Sequence, residues 1–97
     1  MVMHVRRPCE RTWRNILEWA WSNDVEEFTH NDLLREDVVR YGGDWWTQVR
    51  AASASLHHMW KAGLLTRIAA GKGRRASLYA PISQGEYQRK LRQLVLV

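Results

Sequence analysis

The sequence is poor in cysteine and contains no long apolar run. Cys9 is the single cysteine among 97 residues, which excludes an internal disulfide and a cysteine-based metal cluster. No apolar stretch approaches the length needed to cross a bilayer, and the first eight residues have no apolar core followed by a cleavage site. We therefore expect a soluble, cytoplasmic protein with no signal peptide and no membrane partner.

Acidic residues are missing from a long part of the chain. No aspartate or glutamate lies between Asp44 and Glu86. Residues 1–46 hold six arginines and nine acids, a sum of −3, whereas residues 47–97 hold nine lysines or arginines and one acid, a sum of +8. A polyanion would experience the second half as a continuous attractive field. The alternative is a solvated basic surface that keeps the protein soluble.

The sequence also lacks the patterns that carry catalysis or metal binding. His57 and His58 are adjacent, so a helix places them about 100° apart, and they cannot share one metal ion as histidines four residues apart can. The turn at residues 71–73 lacks the spacer and the following helix of a phosphate-binding P-loop. Neither Ser53 nor Ser55 has a nearby acid that would orient His57 as a catalytic base. We expect no enzyme activity, no cofactor and no metal ion.

The first half of the chain opens with helical periodicity. An apolar stripe predicts a first helix that begins at Glu10 or Thr12 and ends at Ser22. Residues 1–9 are expected to form an N-terminal arm, as a short strand or a loose segment, because Pro8 ends a regular element or begins a helix. Six tryptophans in so short a chain predict a core concentrated in a few large side chains.

A second helix is predicted by the capping-box-like pair of Thr29 and Asp32. It covers residues 30–38 and is stopped by the sequence Tyr-Gly-Gly at residues 41–43. The preceding residues 25–28 are interpreted as a linker or as one strand of a small sheet.

A third helix is predicted to begin at Asp44 or Thr47 and to end at Gly63. At 100° per residue, one face collects the core positions Val49, Ala52, Ser53, Leu56, Met59 and Trp60. The opposite face is small and basic, with Arg50, Ala51, Ala54, His58 and Lys61. Small side chains allow close approach to a surface, and flanking cations suit a helix that lies in a DNA major groove. The alternative is an ordinary amphipathic helix with an alanine-rich exterior.

Two short segments, residues 64–70 and 76–80, flank a basic, glycine-rich tip and predict a β-hairpin. Gly71 and Gly73 are expected to supply the positive φ that a hairpin tip needs, and Lys72, Arg74 and Arg75 place three cations there. Residues 83–97 predict a C-terminal helix that either packs back on the first helix or pairs with its copy in a homodimer.

The third helix and the hairpin together resemble the winged helix-turn-helix superfamily. The similarity is carried by the apolar pattern from Val49 to Leu65 and by the basic hairpin that ends in Leu78 and Tyr79. It implies a mostly helical α+β fold, with a three-helix core and a C-terminal hairpin called the wing over residues 10–82, followed by the C-terminal helix. In that superfamily the third helix reads the major groove, and the wing contacts flanking phosphates or the minor groove.

The resemblance implies sequence-specific binding to double-stranded DNA by a small transcriptional regulator, a kind of protein common in phages and prokaryotes. Gln48 would pair with adenine and Arg50 with guanine, while His57 would meet phosphates. The implied DNA-binding residues are Thr47, Gln48, Arg50, Ala51, Ala54, Ser55, His58 and Lys61 of the third helix and Lys72, Arg74 and Arg75 of the wing.

The alternative function is a winged-helix protein-interaction module, for example a phage-encoded inhibitor that binds a host complex. The acidic first half and the surplus tryptophans Trp19, Trp45 and Trp46 favour this protein partner, because exposed aromatic side chains are typical interface anchors. Steep weakening of binding by salt would distinguish DNA from a protein partner.

Overall fold

The computed structural model has an α+β fold in which helices predominate. It describes the backbone of residues 3–73 and 75–96 and the side chains of residues 11–73 and 75–92. In chain order the elements are α1 (Met3–Ser22), α2 (His30–Arg35), α3 (Trp45–Lys61), β1 (Leu65–Ala69), β2 (Leu78–Pro81) and α4 (Gln84–Leu96). The predicted order of three helices, a hairpin and a C-terminal helix is confirmed.

The first helix begins earlier than predicted. α1 starts at Met3, not at Glu10 or Thr12, and continues through Pro8. A proline removes the one hydrogen bond that its own nitrogen would donate, and the remaining turns of this 20-residue helix continue on both sides of it. The expectation of a strand or a loose arm before residue 10 is therefore wrong for residues 3–9.

α1, α2 and α3 end in the same way, with one residue at positive φ followed by an apolar residue. The positive-φ residues are Asp24 at 52°, Asp37 at 56° and Gly63 at 82°. The next residue in each case donates its N–H, at 2.9 Å, to a carbonyl five residues earlier; these donors are Val25, Val38 and Leu64. This Schellman arrangement satisfies carbonyls that a helix end otherwise leaves unpaired.

Asp37 explains why α2 is shorter than predicted. The helix ends at Arg35, with Glu36 as its C-cap. Residues 36–38, which were predicted to be helical, therefore lie outside it. Aspartate tolerates the left-handed region because its short polar side chain can bond locally, and the stop therefore lies at Asp37 and not at residues 42–43. The capping box is confirmed, since the Asp32 carboxylate accepts from the Thr29 N–H at 2.9 Å.

The core lies between the three helices and the hairpin. It is built mainly from aliphatic side chains around Phe28, including Ile16 and Leu17 of α1, Leu33 of α2, and Leu56 and Met59 of α3. All six tryptophans are among the residues described, and none is fully buried. Four pack at the edge of the core, whereas Trp45 and Trp46 are 58% and 68% exposed. The expectation of a tryptophan-centred core is wrong, because smaller side chains hold the fully buried positions and a large indole is rarely enclosed completely.

The hairpin strands β1 and β2 are antiparallel, with Arg67 opposite Tyr79. The register shifts between Arg67 and Ala69, which leaves Ile68 51% exposed. Phe28 forms an isolated antiparallel bridge with Tyr79 of β2, and the two residues exchange two backbone hydrogen bonds of 2.9 Å. Of the two interpretations of residues 25–28, the linker fits the structure better, because only Phe28 pairs with the hairpin and residues 25–27 form no strand.

The C-terminal helix α4 packs back on α1. The Tyr87 ring lies 5.5 Å from that of Trp21, and the Trp21 indole donates a 2.9 Å hydrogen bond to the Ile82 carbonyl. The side chains of residues 93–97, at the end of the predicted C-terminal helix, lie outside the described residues. Homodimer formation through α4 stays a prediction.

Candidate nucleic-acid interface

The outer face of α3 is rotated relative to the predicted one. Ser53 is exposed, although it was expected in the core, and it shares the outer face with Arg50, Ala54, His57, His58 and Lys61. Ser55, predicted to read bases, is partly buried, and its hydroxyl lies 2.8 Å from that of Tyr41 in a hydrogen bond. The core placement of Ser53 is wrong, because Ala and Ser give a helical wheel little contrast between inside and outside. The DNA-binding role of Ser55 stays a prediction.

The N-terminus of α3 is capped by Asp44. Its carboxylate accepts a 2.8 Å hydrogen bond from the Thr47 N–H, and that bond lowers the pKa of Asp44 below its ordinary 3.8. Of the two predicted caps, Asp44 is confirmed, and Thr47 is an exposed residue of the first turn. Gln48 turns its amide back towards the Gly43 carbonyl, 3.4 Å away.

The tip of the hairpin is a tight turn in which Lys72 and Arg75 face each other. Each donates its N–H to the carbonyl of the other at 3.1 Å, and Gly73 has the expected positive φ of 62°. Gly71 does not have the positive φ that was predicted for it. A glycine is needed there because a Cβ would lie 2.4 Å from the Arg75 carbonyl oxygen. Arg74 lies outside the described residues.

A concave surface, which we call the trough, runs between α3 and the hairpin. It consists of two adjoining hollows of ≈310 and ≈500 Å³, which share His30, Ser53, Ser77 and Tyr79. Its cations come from both walls: Arg50 from α3, and Arg67, Lys72 and Arg75 from the hairpin. None of the described residues that line it is acidic. Low-dielectric walls around charges of one sign focus the field on an anion that enters.

Arg67 is held against the ring of Trp60 at one end of the trough. Its guanidinium carbon lies 3.7 Å from the ring centroid, the Lys61 ammonium lies 4.6 Å from the same centroid, and the His57 ring packs 5.6 Å away. Stacking fixes the plane of a guanidinium and leaves its N–H donors available for a phosphate. Arg67 was not among the predicted site residues, although period-two alternation from the buried Leu65 puts both residues on one side of β1.

The predicted DNA-binding residues divide into two groups. The trough gathers Arg50, Ala54, His58, Lys72 and Arg75, together with His57. Outside its lining lie Thr47, Gln48, Ala51, Ser55 and Lys61. The residues of the second group lie on other parts of α3. The first group forms one surface with three residues that were not predicted, Arg67, Ser53 and His30.

Two acids in and just after α2 pair with arginines of their own segment. Asp32 pairs with Arg35, and Asp37 accepts two bonds from Arg40, at 3.0 and 2.7 Å. The bond from Arg40 lowers the pKa of the Asp37 carboxyl below 3.8. None of the ion pairs among the described residues involves a cation of the trough.

His30 brings a titratable group from α2 into the trough. Burial lowers the pKa of His30 below its ordinary 6.5, against the opposing field of Asp32. Its neutral form is therefore favoured in the free protein, and an anion in the trough would favour the charged form.

Comparisons of the chain with protein-family models, with curated proteins and with solved structures found no match. The described residues include no cluster of three or more His, Cys, Asp or Glu side chains placed to hold a metal ion. In the part of the chain that the structure describes, no helix combines the length and apolarity of a membrane span.

Proposed function

We propose that this chain binds double-stranded DNA as a winged-helix protein, with α3 in the major groove and the hairpin tip along the backbone. The observation that supports this most is the trough, because its cations come from two separate elements and none of the described residues that line it is acidic. A role as a small transcriptional regulator follows as the expected use of sequence-specific binding.

The geometry of α3 supports insertion into a groove. Its outer face presents the small residues Ser53 and Ala54 at the middle and Arg50 one turn earlier. The helix backbone could therefore approach base edges closely while the long Arg50 side chain extends to a base. Arg50 can bond two acceptors of guanine in the major groove. His57 and His58, further along the helix, would lie near phosphates.

The hairpin supplies the sequence-independent part of binding. Arg67, Lys72 and Arg75 face the trough from the side opposite α3, and cations that neutralise phosphates release condensed counterions. Such contacts position the protein on the duplex, whereas base contacts from α3 would specify the sequence.

A salt titration tests the proposal. The affinity for a random-sequence duplex of about 20 base pairs is measured by fluorescence anisotropy between about 50 and 200 mM salt. Roughly four to six phosphate contacts predict a slope of log affinity against log salt between about −3.6 and −5.4. Absence of duplex binding at low salt, or a flat response, would contradict DNA binding.

A second candidate function, protein recognition, is favoured by one observation. Trp45 and Trp46 are the most exposed large apolar side chains described, at 58% and 68%, and exposed tryptophans often anchor protein interfaces. The affinity for a protein partner would not depend steeply on salt. The same salt titration, carried out with a protein that co-purifies with this chain, therefore separates the two functions.

A further inference from the structure

Trp46 continues the outer row of α3 beyond the trough. It lies four residues before Arg50, seven before Ser53 and eleven before His57, which is the spacing of one stripe along a helix. All four side chains are described, and Arg50, Ser53 and His57 line the trough. Trp46 therefore lies on the face that carries the cations, one turn nearer the N-terminus.

Trp45 lies on a different row of the same turn. Its row continues through Val49, Ala52 and Leu56, of which Ala52 and Leu56 are buried. Val49, the next residue of that row, borders the same hollow as Arg50, but Trp45 itself lies about 140° from Arg50 around the helix axis. The chain thus contains a matched pair of exposed tryptophans with only one in line with Arg50.

We infer that Trp46 is a specificity-determining residue that contacts the 5-methyl group of thymine in the major groove. The inference rests on the proposed DNA binding and adds the base feature that is read. The N-terminal part of a recognition helix is the part that reaches base edges, and the thymine methyl is the one apolar group exposed on the floor of the major groove. An indole that is 68% exposed offers an apolar surface for it, while Arg50 bonds a neighbouring base.

Thymine and uracil duplexes provide a direct test that needs no knowledge of the target sequence. Binding is measured at low salt to DNA duplexes of about 20 base pairs with alternating A·T or alternating A·U pairs. Both carry deoxyribose, so the two duplexes differ only in the 5-methyl group. Burial of one methyl group predicts that the A·T duplex binds about fourfold more tightly. A G·C duplex with 5-methylcytosine carries the methyl group at the equivalent position and should bind more tightly than the unmethylated G·C duplex.

The two tryptophans supply the variants. Trp46→Ala should bring the ratio of A·T to A·U affinity close to one, and Trp45→Ala should leave it unchanged. Both side chains are exposed, so both variants should keep the circular dichroism spectrum and melting temperature of the wild type. Loss of the ratio in both variants, or a wild-type ratio of one, would overturn the role of Trp46 and leave DNA binding intact. A wild type that binds none of the duplexes would instead overturn the proposed function and the inference with it.

Discussion

The segment around α2 and the segment from α3 through the hairpin differ in whether their charged side chains form ion pairs. Around α2, acids and arginines pair within three residues, as Asp32 does with Arg35 and Asp37 with Arg40. From α3 onwards, Arg50 and Arg67 line one hollow of the trough and Lys72 and Arg75 line the adjoining one, and none of the described lining residues is acidic. Exposed pairs of the first kind contribute little to stability, and like charges of the second kind repel one another. An anion in the trough would offset this repulsion.

The largest effect is expected where the two segments share one core. Leu56 is almost fully buried on the inner side of α3, so Leu56→Ala should lower the free energy of unfolding by about 3 kcal/mol, measured by urea denaturation. Ile68→Ala is the control, because Ile68 lies at the strand irregularity with 51% of its surface exposed. Equal losses in the two variants would show that the packing of α3 is wrongly described.

A second prediction breaks the charge comparison by placing an acid in the trough. Ser53 is exposed and borders both hollows, so Ser53→Glu should weaken duplex binding by about a hundredfold, since juxtaposed like charges cost several kcal/mol. Gln88→Glu adds the same charge at an exposed site of α4 and should weaken binding far less. Comparable losses would mean that net charge, and not the trough, governs binding.

The sequence was sufficient to locate α3 and the hairpin because residues that typically begin or end such elements mark their limits. Asp44 and Gly63 mark the ends of α3, and the glycine-rich basic tip lies between two strands as expected. The end of α2 was missed because an aspartate at positive φ resembles any other polar residue in a sequence. The stacking of Arg67 on Trp60 was also missed, since it depends on how β1 packs beside the end of α3.

A third prediction concerns the acid dependence of the α3 cap. The folded-state pKa of Asp44 is below 3.8, so its contribution to stability is present above that pH and is lost as the pH falls through the folded pKa. Asp44→Asn retains a capping side chain without the charge. The melting temperature of the variant should therefore fall less between pH 5 and 2 than that of the wild type. Parallel pH profiles would contradict the hydrogen bond from Thr47.

The smallest effect is expected at His30, through which the first segment reaches the trough. Its folded-state pKa is below 6.5 because of burial, so stability is complete above that pH and declines as the pH falls towards the folded pKa. His30→Gln should flatten the melting-temperature profile over this range. An unchanged slope would place the titration elsewhere.

The most direct test of the central claim compares two variants that each remove two positive charges. Lys72→Ala with Arg75→Ala takes them from the trough, and Arg89→Ala with Arg92→Ala takes them from exposed sites of α4. In anisotropy titrations on a random duplex, we expect the trough variant to reduce the magnitude of the salt slope by about 1.8 and the α4 variant to leave it unchanged. Equal changes in the two variants, or no change in the trough variant, would contradict the assignment of the trough as the DNA-binding surface.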